Sequence, residues 1–355
     1  MIENQNKFIT NDCARSFSGA HKQLQSLKGK TLLVTGGSGF MGSWICELVH
    51  YMNHEKKMDI KLFLMARNQA RFEQNLPHIA NSKNIKFIYS DVTGSIVIPK
   101  SVNYIVHAAA NPDSRFHASQ PFQSMKTVAL GTGSILEAAT RLSNLENILH
   151  VSSSAVYSDK FESKEKFSED LLNIYRDNKL SNYFSQANIY SETLCAAARS
   201  ELRLPIVTMR PFTFCGPYQS IDSPWAINNF INDAINKRPI RIHHDGEVVR
   251  SYMYGSDLAV WLLVILLHAK NGQIYNVGSS DGYMLKDVAK KVANCFSEIP
   301  RIMLNTALVD NNNHSVLIPD VSKAEKELSL RIFTDIDTSV EKSVEWYKKQ
   351  FKYAE

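Results

Sequence analysis

Cysteine is scarce in this chain and its residues stand apart. Five are spread over 355 residues, at Cys13, Cys46, Cys195, Cys215 and Cys295, and no two form a C-x-x-C pair. An odd, dispersed set excludes a disulfide framework or zinc knuckle and makes a reducing cytoplasm the expected setting. Long apolar runs are missing too. The longest, residues 258–267 (LAVWLLVILL), is too short to cross a bilayer and predicts a buried helix, so no membrane partner is expected. The opening MIENQNKFITNDCARSF has no apolar h-region and reads as no secretory signal. No internal repeat or low-complexity tract is visible. A dense basic run is also absent: the net charge of +5 comes from scattered Lys and Arg, which speaks against a nucleic-acid track. A few well-placed cations suit a small polyanion such as a nucleotide better. His243 and His244 have no partners at ligand spacing, so no metal site is expected.

What is present is an ordinary globular composition, 44% hydrophobic and 21% charged, with enough length for one large α/β body and a smaller appendage. Residues 1–28 are polar and weakly periodic. They read as an N-terminal extension with one helix over residues 13–27, lying on the body or on a partner. From residue 30 apolar strand-like runs alternate with helical patterns. Strands are predicted at 30–35, 60–65, 85–89, 104–109, 148–152 and 206–210, and helices at 124–142 and 183–202. That alternation implies an α/β, doubly wound parallel sheet covered on both faces. Past Gly216-Pro217 the rhythm turns irregular, with helices predicted at 226–236, 255–269 and 284–295. We therefore expect a sheet domain over 29–215 and a smaller C-terminal lobe over 216–355, some of whose segments return to the sheet.

One turn carries the clearest chemistry. Residues 36–42 read GGSGFMG, directly after the first strand and opening a helix. Gly36 suits the sharp turn, Gly39 the approach of a pyrophosphate, and Gly42 the close packing of helix on strand. The N–H groups of Phe40 and Met41 then face the phosphates at the helix N-terminus. The next strand ends in FLMARN (63–68), without the acidic residue that would hold the ribose hydroxyls of NAD. Arg67 stands there instead and leans the choice toward NADP, with NAD left open.

Taken together, these motifs resemble the extended short-chain dehydrogenase/reductase family of nucleotide-sugar epimerases, dehydratases and decarboxylases, which implies a Rossmann fold with a C-terminal substrate-binding lobe. Asp91 and Val92 resemble that family's adenine-contacting pair, and His107, Ala108 and Ala109 its H-x-A-A signature beside the cofactor. VSSSAVY (151–157) resembles its S-S-x-x-V-Y-G strand end, with Ser158 for the glycine. The resemblance implies a catalytic role for Ser153 and substrate contact for Ser154. Residues 210–217 resemble R-P-x-x-x-Y-G-P, with FTFC at 212–215 in place of the usual lead-in. GEVVRSYMYGSD (246–257) resembles the stretch whose arginine, here Arg250, binds a sugar nucleotide's diphosphate. A homodimer is likewise implied by the family.

The pattern breaks at the family's Y-x-x-x-K, whose tyrosine exchanges a proton with the sugar while its lysine holds the ribose and lowers the tyrosine pKa. Counting back from Glu192 puts Phe184 and Asn188 in those positions, and neither replaces the chemistry. Tyr183 lies about 100° around the helix from Phe184. The literal match Tyr175 to Lys179 would need extra residues in the following helix. Ala155 also stands where dehydratases of the family carry Glu, which makes dehydration less expected. The sequence thus predicts an NAD(P)-binding enzyme of epimerase or 4-dehydrogenase/reductase type. The alternative is a catalytically impaired dinucleotide- or nucleotide-sugar-binding protein with a regulatory or structural role.

Overall fold

A computed structural model describes residues 2–157, 166–171, 182–243, 245–305 and 315–351. Ser158, His244 and the Tyr175-to-Lys179 match lie outside the described residues. The first strands are β1 (Thr31–Thr35), β2 (Lys61–Ala66), β3 (Ile85–Tyr89), β4 (Tyr104–His107), β5 (Asn147–Val151) and β6 (Ile206–Pro211). Between them run helices α2 (Phe40–Lys56), α3 (Gln69–Asn75), α4 (Ser114–Ser119), α5 (Pro121–Ala139) and α6 (Tyr183–Glu201), preceded by α1 (Ile2–Leu24). The chain continues through β7 (Phe214–Cys215), α7 (Ala226–Ile235), β8 (Ile240–Ile242), β9 (Val249–Ser251), β10 (Met253–Tyr254) and α8 (Gly255–His268). It ends with β11 (Ile274–Val277), β12 (Gly282–Met284), α9 (Leu285–Ala293), β13 (Ile302–Leu304), β14 (Val316–Leu317), α10 (Ser322–Leu328) and α11 (Ile336–Phe351).

The main sheet has seven strands in the order β11-β6-β5-β4-β1-β2-β3. Every pairing within it is parallel. Because side chains alternate along a strand, Leu32 and Val34 of β1 feed one core while Leu33 feeds the other. The first core is closed by α1, α2 and α8, and the second by α5 and α6. The apolar run at 258–267 is α8, whose residues from Leu258 to Leu266 are fully buried. The predicted strands and helices appear with their ends moved by a few residues: the strand predicted at 104–109 stops at His107, and the helix predicted from 124 begins at Pro121, whose fixed φ suits a first helical turn. The sheet's seventh strand, β11, reads IYNV, and the buried Asn276 within it breaks the apolar run by which the other strands stand out.

The extension differs most from its sequence reading. Its helix starts at Ile2 rather than 13, kinks at Ala20, and turns Ile9, Cys13, Phe17, Ala20 and Leu24 into the core. The three- and four-residue spacing is an amphipathic stripe, disguised because polar residues inside the seam find partners. Ser16 donates to Asp257 at 2.7 Å, and the Tyr254 hydroxyl donates to Asp12 at 2.9 Å. Asp257 also accepts the backbone N–H groups of Phe333 and Thr334, at 3.0 and 2.9 Å. Tyr254 and Asp257 of the 246–257 stretch therefore pin α1 and the C-terminal segment to α8.

Strand order reverses between β1 and β4. Their two outgoing loops leave on opposite faces, and the crevice between them lies at the strands' C-terminal ends, where open α/β sheets take ligands.

Candidate active site

A cleft of about 520 Å³ opens at that switch point. Gly36, Gly39 and Phe40 form its floor. Arg67, Asp91 and Val92 close one end, and Ala109, Arg115, Ser124, Gln219 and Trp225 line the facing wall. The floor is backbone by necessity. Gly36 has φ +70°, and a Cβ there would sit 2.5 Å from the carbonyl oxygen of Ala108. At Gly42 a Cβ would come within 2.4 Å of the Gly37 carbonyl oxygen, so only glycine lets α2 pack onto its own entry turn. Gly39 is the N-cap of α2 and supplies no side-chain cap, which leaves the first-turn N–H groups, those of Phe40 and Met41 among them, without intrahelical partners.

At the closed end, Arg67 Nη1 stands 3.7 Å from Asp91 Oδ2, and both side chains are exposed. The Asp91 carboxyl is held below its usual range, first by the backbone N–H of Thr93 and further by the Thr93 hydroxyl and Arg67. His107 faces away from solvent. Its Nδ1 lies 2.8 Å from Thr35 Oγ1 and its Nε2 3.3 Å from Thr132 Oγ1. Burial, with His150 beside it, pushes its pKa down to about 3. His107 and Ala108 thus back the glycine turn from behind, and Thr35 Oγ1 accepts the Ala108 N–H at 3.1 Å.

The residues expected to perform chemistry stand outside the lining of this cleft. Ser153 begins a short 3-10 turn after β5, and its Oγ accepts the Ala155 N–H at 3.1 Å. Ser154 is the first residue of that turn. Ser152, by contrast, is buried and donates to Glu192 at 2.5 Å. Glu192 takes two bonds from Arg210, at 2.8 and 3.0 Å, and Arg210 also donates to the Tyr157 hydroxyl at 2.9 Å. The R-P motif's arginine is therefore held inside a buried network. Arg250 lies on β9 between β12 and β14, and its Nη1 donates to the carbonyls of Val249 and Ser315. Asn188 is buried and donates to the carbonyl of Phe184 at 2.8 Å.

Phe184 has a partner that the sequence reading passed over. The His117 imidazole stacks on it, ring centroids 4.0 Å apart and planes 18° from parallel. His117 Nδ1 is 2.7 Å from Ser124 Oγ, and Ser124 lines the cleft. Arg115 was also missed: it pairs with Asp113 at 2.7 Å and donates to the Asp222 carbonyl at 2.9 Å, tying α4 to the far rim. A local signal did exist for α4. Asn-Pro-Asp at 111–113 ends in an N-cap, with Asp113 Oδ1 accepting the Arg115 N–H at 2.8 Å. Nothing local announces the His117–Phe184 stack, because its rings come from different helices.

Comparison with known proteins agrees with this fold. The trifunctional UDP-glucose 4,6-dehydratase/UDP-4-keto-6-deoxy-D-glucose 3,5-epimerase/UDP-4-keto-L-rhamnose-reductase of Arabidopsis thaliana is 26% identical over 329 residues, 90% of this chain and 47% of that protein. The chain thus spans about half the length, 47–48%, of the three trifunctional Arabidopsis thaliana relatives it matches. The dTDP-D-glucose 4,6-dehydratase of Homo sapiens is 25% identical over 333 residues, 91% of each chain. Among solved structures, an epimerase of Methanothermobacter thermautotrophicus superposes with a TM-score of 0.79 at 21% identity, covering 95% of this chain and 97% of the other. A UDP-glucuronic acid 4-epimerase from Bacillus cereus, in complex with UDP-glucuronic acid and NAD, gives 0.76 at 23% identity, covering 90% and 99%. Residues 32–278, from β1 through the end of β11, match the NAD dependent epimerase/dehydratase family, and the chain belongs to that family.

Proposed function

We propose that this protein binds NAD or NADP and acts on a nucleotide-linked sugar, as an epimerase or a 4-dehydrogenase/reductase. The observation that carries the reading is the cleft at the β1–β4 switch point, with its floor of glycine backbone. The cradle fits a dinucleotide. Its floor excludes side chains where a pyrophosphate has to approach, and its helix terminus offers donors and a partial positive charge. Gly36, Gly39, Phe40, Met41 and Gly42 would hold the pyrophosphate, and Arg67, Asp91 and Val92 the adenosine, with His107, Ala108 and Ala109 behind the turn. When bound, the nicotinamide accepts and returns a hydride. Ser153 and Ser154 would then hydrogen-bond the reacting sugar oxygen, and Arg250 would bind the diphosphate. Ala155 lacks the carboxylate that helps elimination, which favours epimerisation or redox exchange over loss of water. Arg67 admits a 2′-phosphate, but its neighbour Asp91 offsets part of that charge. Isothermal titration with NAD, NADP and a panel of nucleotide sugars, followed by a turnover assay, tests the reading. Failure of every dinucleotide to bind would end it.

A second reading has its own observation. Phe184 has no ionisable oxygen and Asn188 no charge, and each is already engaged, Phe184 by His117 and Asn188 by the Phe184 carbonyl. This favours a binding protein that kept the fold and lost the reaction. Activity that appears only in Phe184→Tyr/Asn188→Lys supports it, and wild-type turnover abolished by Ser153→Ala excludes it.

A further inference from the structure

Removal of the family's tyrosine leaves a problem of proton inventory. Oxidising a carbinol to a ketone releases one proton from the hydroxyl, and Phe184 cannot take it. The group stacked on Phe184 can. His117 lies against the ring, and its Nδ1 is in hydrogen-bond contact with a hydroxyl that belongs to the cleft wall. Ser124 is buried at the cleft's edge, and its hydroxyl is held by His117 Nδ1 at 2.7 Å. A buried hydroxyl bonded to imidazole on one side and bounded by a ligand cleft on the other is the arrangement that passes a proton inward.

We propose that Ser124 and His117 form the proton relay of this protein, with Ser124 meeting the substrate hydroxyl and His117 acting through it as a positioning residue that stores the proton. The proposal rests on the nucleotide-sugar redox reading above. At rest the imidazole carries its proton on Nε2, and Nδ1 accepts from the Ser124 hydroxyl. In the oxidative direction the substrate O–H breaks, its proton passes to Ser124 Oγ, and the proton of Ser124 passes to His117 Nδ1. The carbon is oxidised to a ketone and the nicotinamide dinucleotide is reduced by the hydride. The return step runs the same transfers backwards, so atoms and charge balance without another reactant.

Among the described residues, Phe116 beside it on α4, Phe184 from α6, Ser124 from α5 and Asp113 at the start of α4 face His117. Asp113 is the charged one and is itself paired with Arg115. Burial lowers the His117 pKa and Asp113 raises it in part, with a net fall below 6.5. The imidazole is therefore neutral and receptive at neutral pH.

Two measurements test the relay. The first is the pH dependence of nicotinamide reduction in wild type, His117→Gln and Ser124→Ala, with dinucleotide affinity followed in parallel. We expect wild-type rates to fall as pH drops through the His117 midpoint. Each variant should lose about 10²-fold in rate and lose that pH dependence, while His117→Gln, at a residue outside the cleft lining, binds dinucleotide within about threefold of wild type. The double variant should be no slower than either single one, because the two act as one unit. Variants that keep wild-type rate and pH profile overturn the relay and leave the wider reading intact. A wild type that binds dinucleotide yet reduces it with no nucleotide sugar overturns both. The second measurement needs no turnover: the His117 ring protons are titrated by NMR in wild type and Ser124→Ala. Loss of a hydroxyl donating to neutral Nδ1 should raise the midpoint toward 6.5. An unmoved midpoint overturns the relay.

Discussion

Two walls face the same cleft and are made of different material. The wall of β1, β2 and α2 works through main chain: a glycine turn, uncapped helix N–H groups, and a floor on which a Cβ would collide with carbonyl oxygens. The wall of α4, α5 and α6 works through side chains, with Ser124, His117 and Phe184 in sequence behind one another. A grip made of backbone depends only on glycines and on the strand–turn–helix path. A reaction centre made of side chains can be exchanged residue by residue while the path stays fixed. That is how a chain can keep a glycine turn of the kind proposed here to hold a dinucleotide and still present Phe184 and Asn188 where a tyrosine and lysine are expected.

The strongest way to break this contrast is to put one methyl group into the backbone wall. Gly36→Ala sets a Cβ 2.5 Å from a main-chain oxygen at φ +70°, where neither partner can rotate away. Left-handed strain alone costs about 1–3 kcal/mol, and the collision adds to it. Calorimetric titration should find dinucleotide affinity reduced by at least about 10²-fold, with a lower Tm. Affinity within tenfold of wild type would mean that the floor is not what holds the ligand.

The side-chain wall should fail differently, through the network beneath it. Glu192 and Arg210 are each nearly buried and bond to each other twice. Removing one partner of such a pair typically costs about 3–5 kcal/mol, because a charge is left buried alone. Urea denaturation of Arg210→Met should register a loss of that order, and Arg210→Met/Glu192→Leu should recover part of it. A single variant as stable as wild type would show that water reaches the pair, and that this wall is looser than its hydrogen bonds suggest.

The two histidines between the walls come next in size. Burial lowers His107 to about 3 and His150 to about 4, against about 6.5 when unfolded. Below pH 6.5 the unfolded chain binds protons that the folded chain refuses. The stability contributed by keeping these rings neutral is therefore complete above that pH and lost as pH falls toward the folded values. A shift of this size corresponds to a few kcal/mol per ring. Urea midpoints should drop between pH 6.5 and 4, and His150→Gln should flatten the slope. A wild-type midpoint constant over that range would break the assignment.

The same contrast decides what the sequence disclosed. Strand β1 and helix α8 were legible because burial on every side demands apolar runs, edge strand β3 through Ile85, Phe87 and Ile88, and the turn at 36–42 because its path admits only glycine at Gly36 and Gly42. Helix α1 was half-legible: Asp12 and Ser16 break its apolar stripe, and only the fold supplies Tyr254 and Asp257 to satisfy them. Helices α3 and α4 have seven and six residues, too few for a period to emerge. The motif reading named Phe184 but not the ring that covers it. His117 and Phe184 are on different helices, and a stack between them is a property of packing, which no local spacing encodes.

The smallest expected effect lies at the end proposed for the adenosine, where the backbone wall gives way to two exposed side chains. Arg67 faces Asp91 at 3.7 Å, too long for a good hydrogen bond, and both are solvated. A 2′-phosphate entering there would gain Arg67 and meet Asp91, so the two side chains oppose each other in the choice between NADP and NAD. Arg67→Ala should lower the NADP-to-NAD affinity ratio, and Asp91→Asn should raise it. Each change should be under about tenfold, and smaller still as salt screens exposed charges. Titrations of both dinucleotides at low and physiological salt would read this directly. A change of a hundredfold in either variant would mean that this end reads its ligand with desolvated side chains and belongs with the reaction wall rather than with the glycine floor.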